Sequence, residues 1–218
     1  LEKGTHRALN RFRKFAYKVS QNNTKTCWVL QGDIRKFFAS VDHQILVKIL
    51  SRSIVDQNLI WLLREIIFSF PKGLPLGNLT SQLFANIYLN ELDQFVKHQL
   101  KIKYYLRYAD DFVILSGDKN FLLDIILEIN QFLENDLDLI LHPDKMKIKT
   151  LVSGIDFLGW VNFFDHRVLR TKTKKRILKN LKNNPSRETI NSYLGLIKHG
   201  NARKLEFLML INIFSFDF

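Results

Sequence analysis

A chain of 218 residues is long enough for one sizeable core or for two small lobes. Its 33 Lys+Arg against 21 Asp+Glu leave a net charge of +12, which favours a polyanionic partner, nucleic acid or an anionic surface. The single cysteine, Cys27, rules out a disulfide framework and Cys/His zinc spacing. No apolar run reaches the ~18 residues of a membrane span and no signal peptide is visible, so a reducing, cytoplasmic setting is expected, with no membrane partner.

The chain begins with a helix capped by Thr5 and running to about Val19, its apolar face Leu9, Phe12, Phe15, Ala16 and Val19. Residues 27–33 have strand character. Helices follow over Val41–Leu50 and Asn58–Phe68, then a Pro/Gly loop from Pro71 to Gly77 and a long helix from Ser81 to about Leu100. A strand pair surrounds Asp110, and a helix spans roughly Asn120 to Asn135. Short strands fit 146–151, 155–163 and 167–170. From Thr171 the chain turns basic and helical through Lys172, Lys174, Lys175, Arg176, Lys179 and Lys182, and helices near 187–198 and 201–213 complete it. Strands packed on helices make this an α+β chain.

The most informative run is Tyr104-Tyr105-Leu106-Arg107-Tyr108-Ala109-Asp110-Asp111-Phe112-Val113-Ile114-Leu115. Aromatic and apolar residues on both sides of two acids predict a β-hairpin with the acids at its tip. Two neighbouring carboxylates repel, and a hard divalent cation relieves that cost. A second strand, Cys27-Trp28-Val29-Leu30-Gln31-Gly32, also runs into an acid, Asp33. Carboxylates brought together from separate strands suit two-metal phosphoryl transfer, where the ions stand ~3.5–4 Å apart. Asp42, just before a helical stretch, suits an N-cap better than a metal ligand.

Together these segments resemble the reverse transcriptase family. Asp33-Ile34-Arg35-Lys36-Phe37-Phe38, followed by Val41-Asp42-His43, resembles its first catalytic motif, and Tyr108-Ala109-Asp110-Asp111 its Tyr-x-Asp-Asp box. Gly73-Leu74-Pro75-Leu76-Gly77-Asn78-Leu79-Thr80-Ser81-Gln82 resembles its Gly-rich turn and following helix. Leu139 to Lys145 and Gly154 to Gly159 resemble its fourth and fifth palm motifs, all in family order. The latter resembles the primer grip, a hairpin that would hold the primer end, with Phe157 and Leu158 equally compatible with core. The resemblance implies a right-hand polymerase palm, an antiparallel sheet packed on helices, over 27–170. Partial fingers would occupy 1–26 and a helical thumb 171–218.

The implied activity is RNA-directed DNA polymerisation, adding dNTPs to a DNA or RNA primer on an RNA template. Two Mg2+ ions would serve, with Mn2+ as a substitute. Asp33, Asp110, Asp111 and the Ile34 carbonyl would hold the metal. Phe38 would sit beneath the sugar as a steric gate against a 2′-hydroxyl, its alternative being core packing beside Phe37. Lys145 would place charge or a proton at the pyrophosphate, with Lys147 and Lys149 as nearby alternatives. Leu76, Gly77 and Gln82 would lie near the nascent base pair. Leu76 and Gln82 depart from the Gln and Pro common in the family, and the Leu-Gly-Asn-Leu-Thr-Ser-Gln form is closest to diversity-generating retroelement enzymes. A leucine there offers no hydrogen bond, which points either to error-prone copying or to simple repacking of the loop.

A bacterial or phage retroelement enzyme with a small basic accessory protein is the leading expectation. The alternatives are an antiphage-defence or group II intron-derived reverse transcriptase, and a catalytically inactive nucleic-acid-binding fragment. Leu1 in place of Met and the missing upstream fingers strands imply an absent N-terminus. Ending at Phe218 without a further splicing region favours a compact enzyme.

Overall fold

The computed structural model describes residues 4–183, 186–203, 205–207 and 209. The chain divides into two compact units, one formed by Trp28–Ile148 and the other by Leu1–Cys27 with Lys149–Phe218.

The elements of the first of these units explain where the acids stand. Strand β1 (Trp28–Gly32) is followed by a single helical turn, α2 (Phe37–Ser40), then α3 (His43–Ser53) and α4 (Gln57–Phe68). Helix α5 (Leu79–Gln94) leads to the hairpin β2 (Tyr105–Tyr108) and β3 (Asp111–Ser116), and α6 (Lys119–Leu137) follows. Strand β4 (Lys147–Thr150) begins at the end of this unit and runs past its last residue, Ile148. The sheet order is β2-β3-β1-β4, and β3 pairs antiparallel with both β1 and β2. Side chains alternate faces along a strand, so Leu30, Phe112 and Ile114 enter one core with Phe84, Tyr88, Leu89 and Leu92 of α5. Helix α6 adds Leu122, Ile125, Ile129 and Leu133, one stripe at helical spacing. Each such fully buried side chain contributes roughly 1.5–3 kcal/mol by leaving water. The Tyr88 hydroxyl satisfies itself in this core by donating to the Leu137 carbonyl at 2.6 Å.

Helix starts follow side-chain chemistry. Asp42 accepts from the Ile45 amide at 2.8 Å, so it is the N-cap of α3. Asp56 caps α4, Asn78 caps α5 and Asp118 caps α6 in the same way. The helix expected to run from Ser81 to about Leu100 instead passes into a π-turn at Phe95–Gln99, beyond which the chain heads for β2.

The second unit holds α1 (Thr5–Val19), the meander β5 (Ile155–Phe157), β6 (Trp160–Asn162) and β7 (Arg167–Leu169), and helices α7 (Thr171–Asn183) and α8 (Arg187–Ile197). Leu9, Phe12 and Ala16 bury the inner face of α1, and the Phe12 and Phe157 rings lie 5.8 Å apart. Two expectations need correction here. Thr5 is the first helical residue and Gly4 the cap, with no side-chain hydrogen bond. The single strand expected over 155–163 is a hairpin, because Leu158 and Gly159 both take positive φ, 52° and 84°, and reverse the chain. Of the helix expected at 201–213, residues 204, 208 and 210–213 lie outside the described residues.

Gly32 is one position where the fold leaves no room for a side chain. It pairs with Phe112, and a Cβ there would stand 2.2 Å from the Phe112 ring. Gly32→Ala is therefore expected to destabilise the protein by about 1–3 kcal/mol, the usual cost of overpacking. Adding Phe112→Leu should recover part of the loss, as read from urea unfolding of the single and double variants.

Candidate active site

The register of β1 on β3 carries the chain to the acids. The last ladder pair is Gly32 with Phe112, so one step further Asp33 stands opposite Asp111. The β2–β3 hairpin closes on Tyr108 and Asp111, leaving Ala109 and Asp110 as a two-residue tip. Ala109 takes φ 52°, the left-handed conformation that a tight hairpin turn of this length demands. Asp110 and Asp111 thus occupy the end of the sheet where Asp33 emerges.

A third segment closes on Asp33. The Asp33 carbonyl accepts from the His142 amide at 2.8 Å, and the Arg35 amide donates to the Ile140 carbonyl at 2.9 Å. These bonds flank the Ile34–Leu141 bridge and leave the Ile34 carbonyl out of that pairing. The chain then makes a short helical turn, Pro143–Lys145, whose last residue returns to the acids. Lys145 Nζ stands 2.8 Å from Asp33 Oδ2. Lys147 and Lys149, the alternatives to Lys145, are exposed, and no bond from either to the acids is present among the described residues.

The carboxylates feel one another. Partial desolvation, then the Asp33 charge, raise the Asp110 carboxyl above its ordinary value, while Lys145 opposes the rise. Partial desolvation, then repulsion from Asp110 and Asp33, push Asp111 up to about 6. The hydrogen bond to Asp33, with the surrounding negative charge, raises Lys145. One lysine therefore leaves the negative field incompletely neutralised. Among the described residues no three His, Cys, Asp or Glu side chains form a ready-made cation cage. The donor chemistry nevertheless fits a hard divalent cation, since three carboxylates from two distant segments meet with unrelieved repulsion.

The remaining sequence-derived candidates lie in the same unit. Phe37 is buried, while Phe38 is half-buried and meets it edge-on at 5.4 Å between ring centroids. Gly73 takes φ +62°, and a Cβ there would collide with the Phe38 carbonyl at 2.4 Å. The Leu74 amide donates to that carbonyl, and His43 Nε2 donates to the Gly73 carbonyl, so the loop is tied to α2 and α3. Beyond this tie Leu76 is 81% exposed, Gly77 takes φ +88° with open space around it, and Gln82 is exposed on α5.

Sequence reasoning missed the support beneath the hairpin. Arg107 donates through Nε and Nη2 to both Asp93 oxygens, at 2.9 and 2.7 Å, and through Nη1 to the Ala109 carbonyl at 2.9 Å. The Tyr105 hydroxyl also donates to Asp93, at 2.8 Å. The available signal was the spacing of Tyr105 and Arg107, two apart on a strand and hence on one face.

Known proteins resemble the chain in sequence and in fold. The sequence pattern of the family described as reverse transcriptase (RNA-dependent DNA polymerase) matches residues 3–162. Protein YkfC of Escherichia coli (strain K12) is 30% identical over 193 residues, covering 69% of this chain and 49% of YkfC. Group II intron-encoded protein LtrA of Lactococcus lactis subsp. cremoris is 26% identical over 226 residues, covering 68% of this chain and 36% of LtrA. The chain thus spans about half or less of the length of these two relatives. Among solved structures, telomerase from Candida tropicalis in complex with a fragment of telomeric RNA superposes with a TM-score of 0.60 at 12% identity, over 96% of this chain and 46% of that one. The apo telomerase of the same organism gives 0.59 at 13% identity, over 80% and 38%. At such identities the likeness establishes the fold, a right-hand polymerase.

The raised Asp111 carboxyl has a consequence for stability. A carboxyl whose folded value lies above its unfolded value of ~3.9 holds its proton more tightly when folded. Stability therefore falls as pH rises from ~4 through about 6, and the loss persists above. Solvent screening at this exposed group keeps the effect below about 1 kcal/mol. Without divalent cations, Asp111→Asn is expected to raise the melting temperature by roughly 1–3 °C at pH 7.5 and to change it little below pH 4. Thermal melts at the two pH values, with EDTA present, check both.

Proposed function

The chain belongs to the reverse transcriptase family, and on that premise we propose that it is the polymerising part of an RNA-directed DNA polymerase that extends a primer with dNTPs on an RNA template. The convergence of Asp33, Asp110 and Asp111, with Lys145 on Asp33, carries this reading. In it the palm spans 27–170, partial fingers 1–26 and a helical thumb 171–218.

Asp33, Asp110 and Asp111 would hold two divalent ions, Mg2+ or in its place Mn2+, with the Ile34 carbonyl as a further ligand. When bound, the ions supply the positive charge that acidifies the primer 3′-hydroxyl and steadies the triphosphate. The protein's own groups do the rest. The hairpin tip holds Asp110 and Asp111 at fixed spacing from Asp33, which keeps nucleophile and phosphate in line. Lys145, already protonated beside Asp33, presents a cation that can neutralise charge developing on the pyrophosphate. Phe38, half-buried on the Phe37 ring, closes the space a ribose 2′-hydroxyl would need. The exposed Leu76 and Gln82 flank the base pair being formed. The net charge of +12 suits a template–primer duplex and makes binding salt-dependent.

A bacterial or phage retroelement is the setting this reading favours, in the cytoplasm. A group II intron origin is the second reading, favoured by the likeness to an intron-encoded protein.

In the full-length protein, Asp110→Asn is expected to lower dNTP incorporation by roughly a hundredfold or more while template–primer affinity stays near wild type. Primer extension and filter binding on one preparation test both halves, and near-normal extension by the variant contradicts the assignment.

Fidelity gives an independent test at Leu76. A polar contact contributes ~0.5–1.5 kcal/mol net, so Leu76→Gln is expected to lower the misincorporation rate about two- to tenfold. Sequencing cDNA copied from a defined RNA by both enzymes reads it, and identical error spectra would remove Leu76 from base selection.

A further inference from the structure

Arg107 is a charged side chain in a strand whose neighbours Tyr105 and Leu106 are buried. Its side chain is only 9% exposed, and that of Asp93 19%. Nothing in the chemistry of the three acids requires it. We propose that Arg107, anchored by Asp93 and Tyr105, is a positioning residue that fixes the peptide plane carrying Asp110.

The geometry gives the reason. Asp93 lies in the last turn of α5, whose inner face of Tyr88, Leu89 and Leu92 is fully buried. A rigid helix therefore holds the carboxylate. Arg107 meets both of its oxygens through two parallel N–H bonds, which fixes the plane of the guanidinium as well as its position. The remaining edge of the guanidinium reaches Ala109 and donates to its carbonyl. That carbonyl belongs to the peptide whose amide is the N–H of Asp110. Holding it fixes the orientation of the tip at the residue that has left-handed φ and would otherwise relax. The Tyr105 hydroxyl completes the anchor by donating to Asp93. Burial raises the Tyr105 phenol well above its ordinary value, so it stays a donor throughout the working range. Lysine cannot replace Arg107, because a single ammonium has no fork to grip Asp93 and reach Ala109 together.

The inference rests on the polymerase reading of Asp110. A merely structural ion pair would tie α5 to β2 and affect stability alone, whereas a positioning role predicts a defect in metal binding and turnover in folded protein. Two variants of the full-length protein separate these. Arg107→Lys keeps the charge and removes the fork. Arg107→Met with Asp93→Leu removes both charges at similar volume, a replacement that buried ion pairs commonly tolerate without loss of fold. Each is checked for folding by circular dichroism. Mn2+ affinity is then measured by electron paramagnetic resonance, and kcat and KM for dNTP by primer extension.

For both variants the expected result is wild-type secondary structure, Mn2+ binding about tenfold weaker, and kcat lower by roughly ten- to a hundredfold, the cost of a misplaced reacting group. KM for dNTP should stay within about twofold, since uniform binding is untouched. Wild-type Mn2+ affinity or wild-type kcat in either folded variant overturns the proposal. Asp110→Asn run alongside keeps the two claims apart. If it too retains turnover, the polymerase reading fails; if it is inactive while Arg107→Lys is normal, only the role of Arg107 fails.

Discussion

Mutual repulsion among Asp33, Asp110 and Asp111 is the constraint on which the rest of this structure depends. Three carboxylates of two distant segments stand close enough for Asp33 and Asp110 to push Asp111 up to about 6, and one ammonium, Lys145, is held against them. A folded chain gains nothing in stability from such an arrangement, since each acid raises the cost of ionising the others. Rigid surroundings must therefore impose it, and a function must require it.

The imposed rigidity comes from backbone pairing and close packing. Strand β3 is hydrogen-bonded on both sides, and Phe112, directly after Asp111, lies over Gly32, directly before Asp33. The two acids are thus placed by one packed contact a residue away from each. From the other side, Arg107 ties the hairpin tip to α5, and the pairing of 33–35 with 140–142 delivers Lys145. The Gly73 loop repeats the device at a neighbouring point. It is stitched to the Phe38 carbonyl and to His43, and leaves Leu76 exposed beyond the stitch. Fixed donors and acceptors around a concentrated charge are what a phosphoryl-transfer site needs, because nothing has to reorganise when charge develops.

Much of this was legible in the sequence, and for local reasons. Strand-to-acid patterning at Gly32-Asp33 and the aromatic flanks of Ala109-Asp110-Asp111 are short-range signals, and the structure has β1 and the hairpin there. Asp42 was recognised as a cap by its place before a helical stripe. What escaped were relations that only a third dimension supplies. Asp93 and Arg107 lie on different elements, and the spacing of Tyr105 and Arg107 shows their shared face without naming Asp93 as its partner. Gly32 resembled any strand glycine until Phe112 was found across the ladder. Strand character alone runs 155–163 together, because a leucine at positive φ carries no local warning, whereas the resemblance of Gly154 to Gly159 to a primer-grip hairpin implies a reversal there. Spacing leaves Lys147 and Lys149 as alternatives to Lys145, and only the turn at Pro143–Lys145 brings the Lys145 ammonium against Asp33.

The central claim is that the crowded acids form a site for a divalent cation. The most direct measurement is the pH titration of the Asp111 side-chain carboxyl by carbon NMR, with and without Mg2+. The account predicts a midpoint near 6 without the ion and a marked fall when Mg2+ is added, as the cation replaces repulsion with attraction. An ordinary aspartate midpoint that Mg2+ leaves unmoved would contradict it.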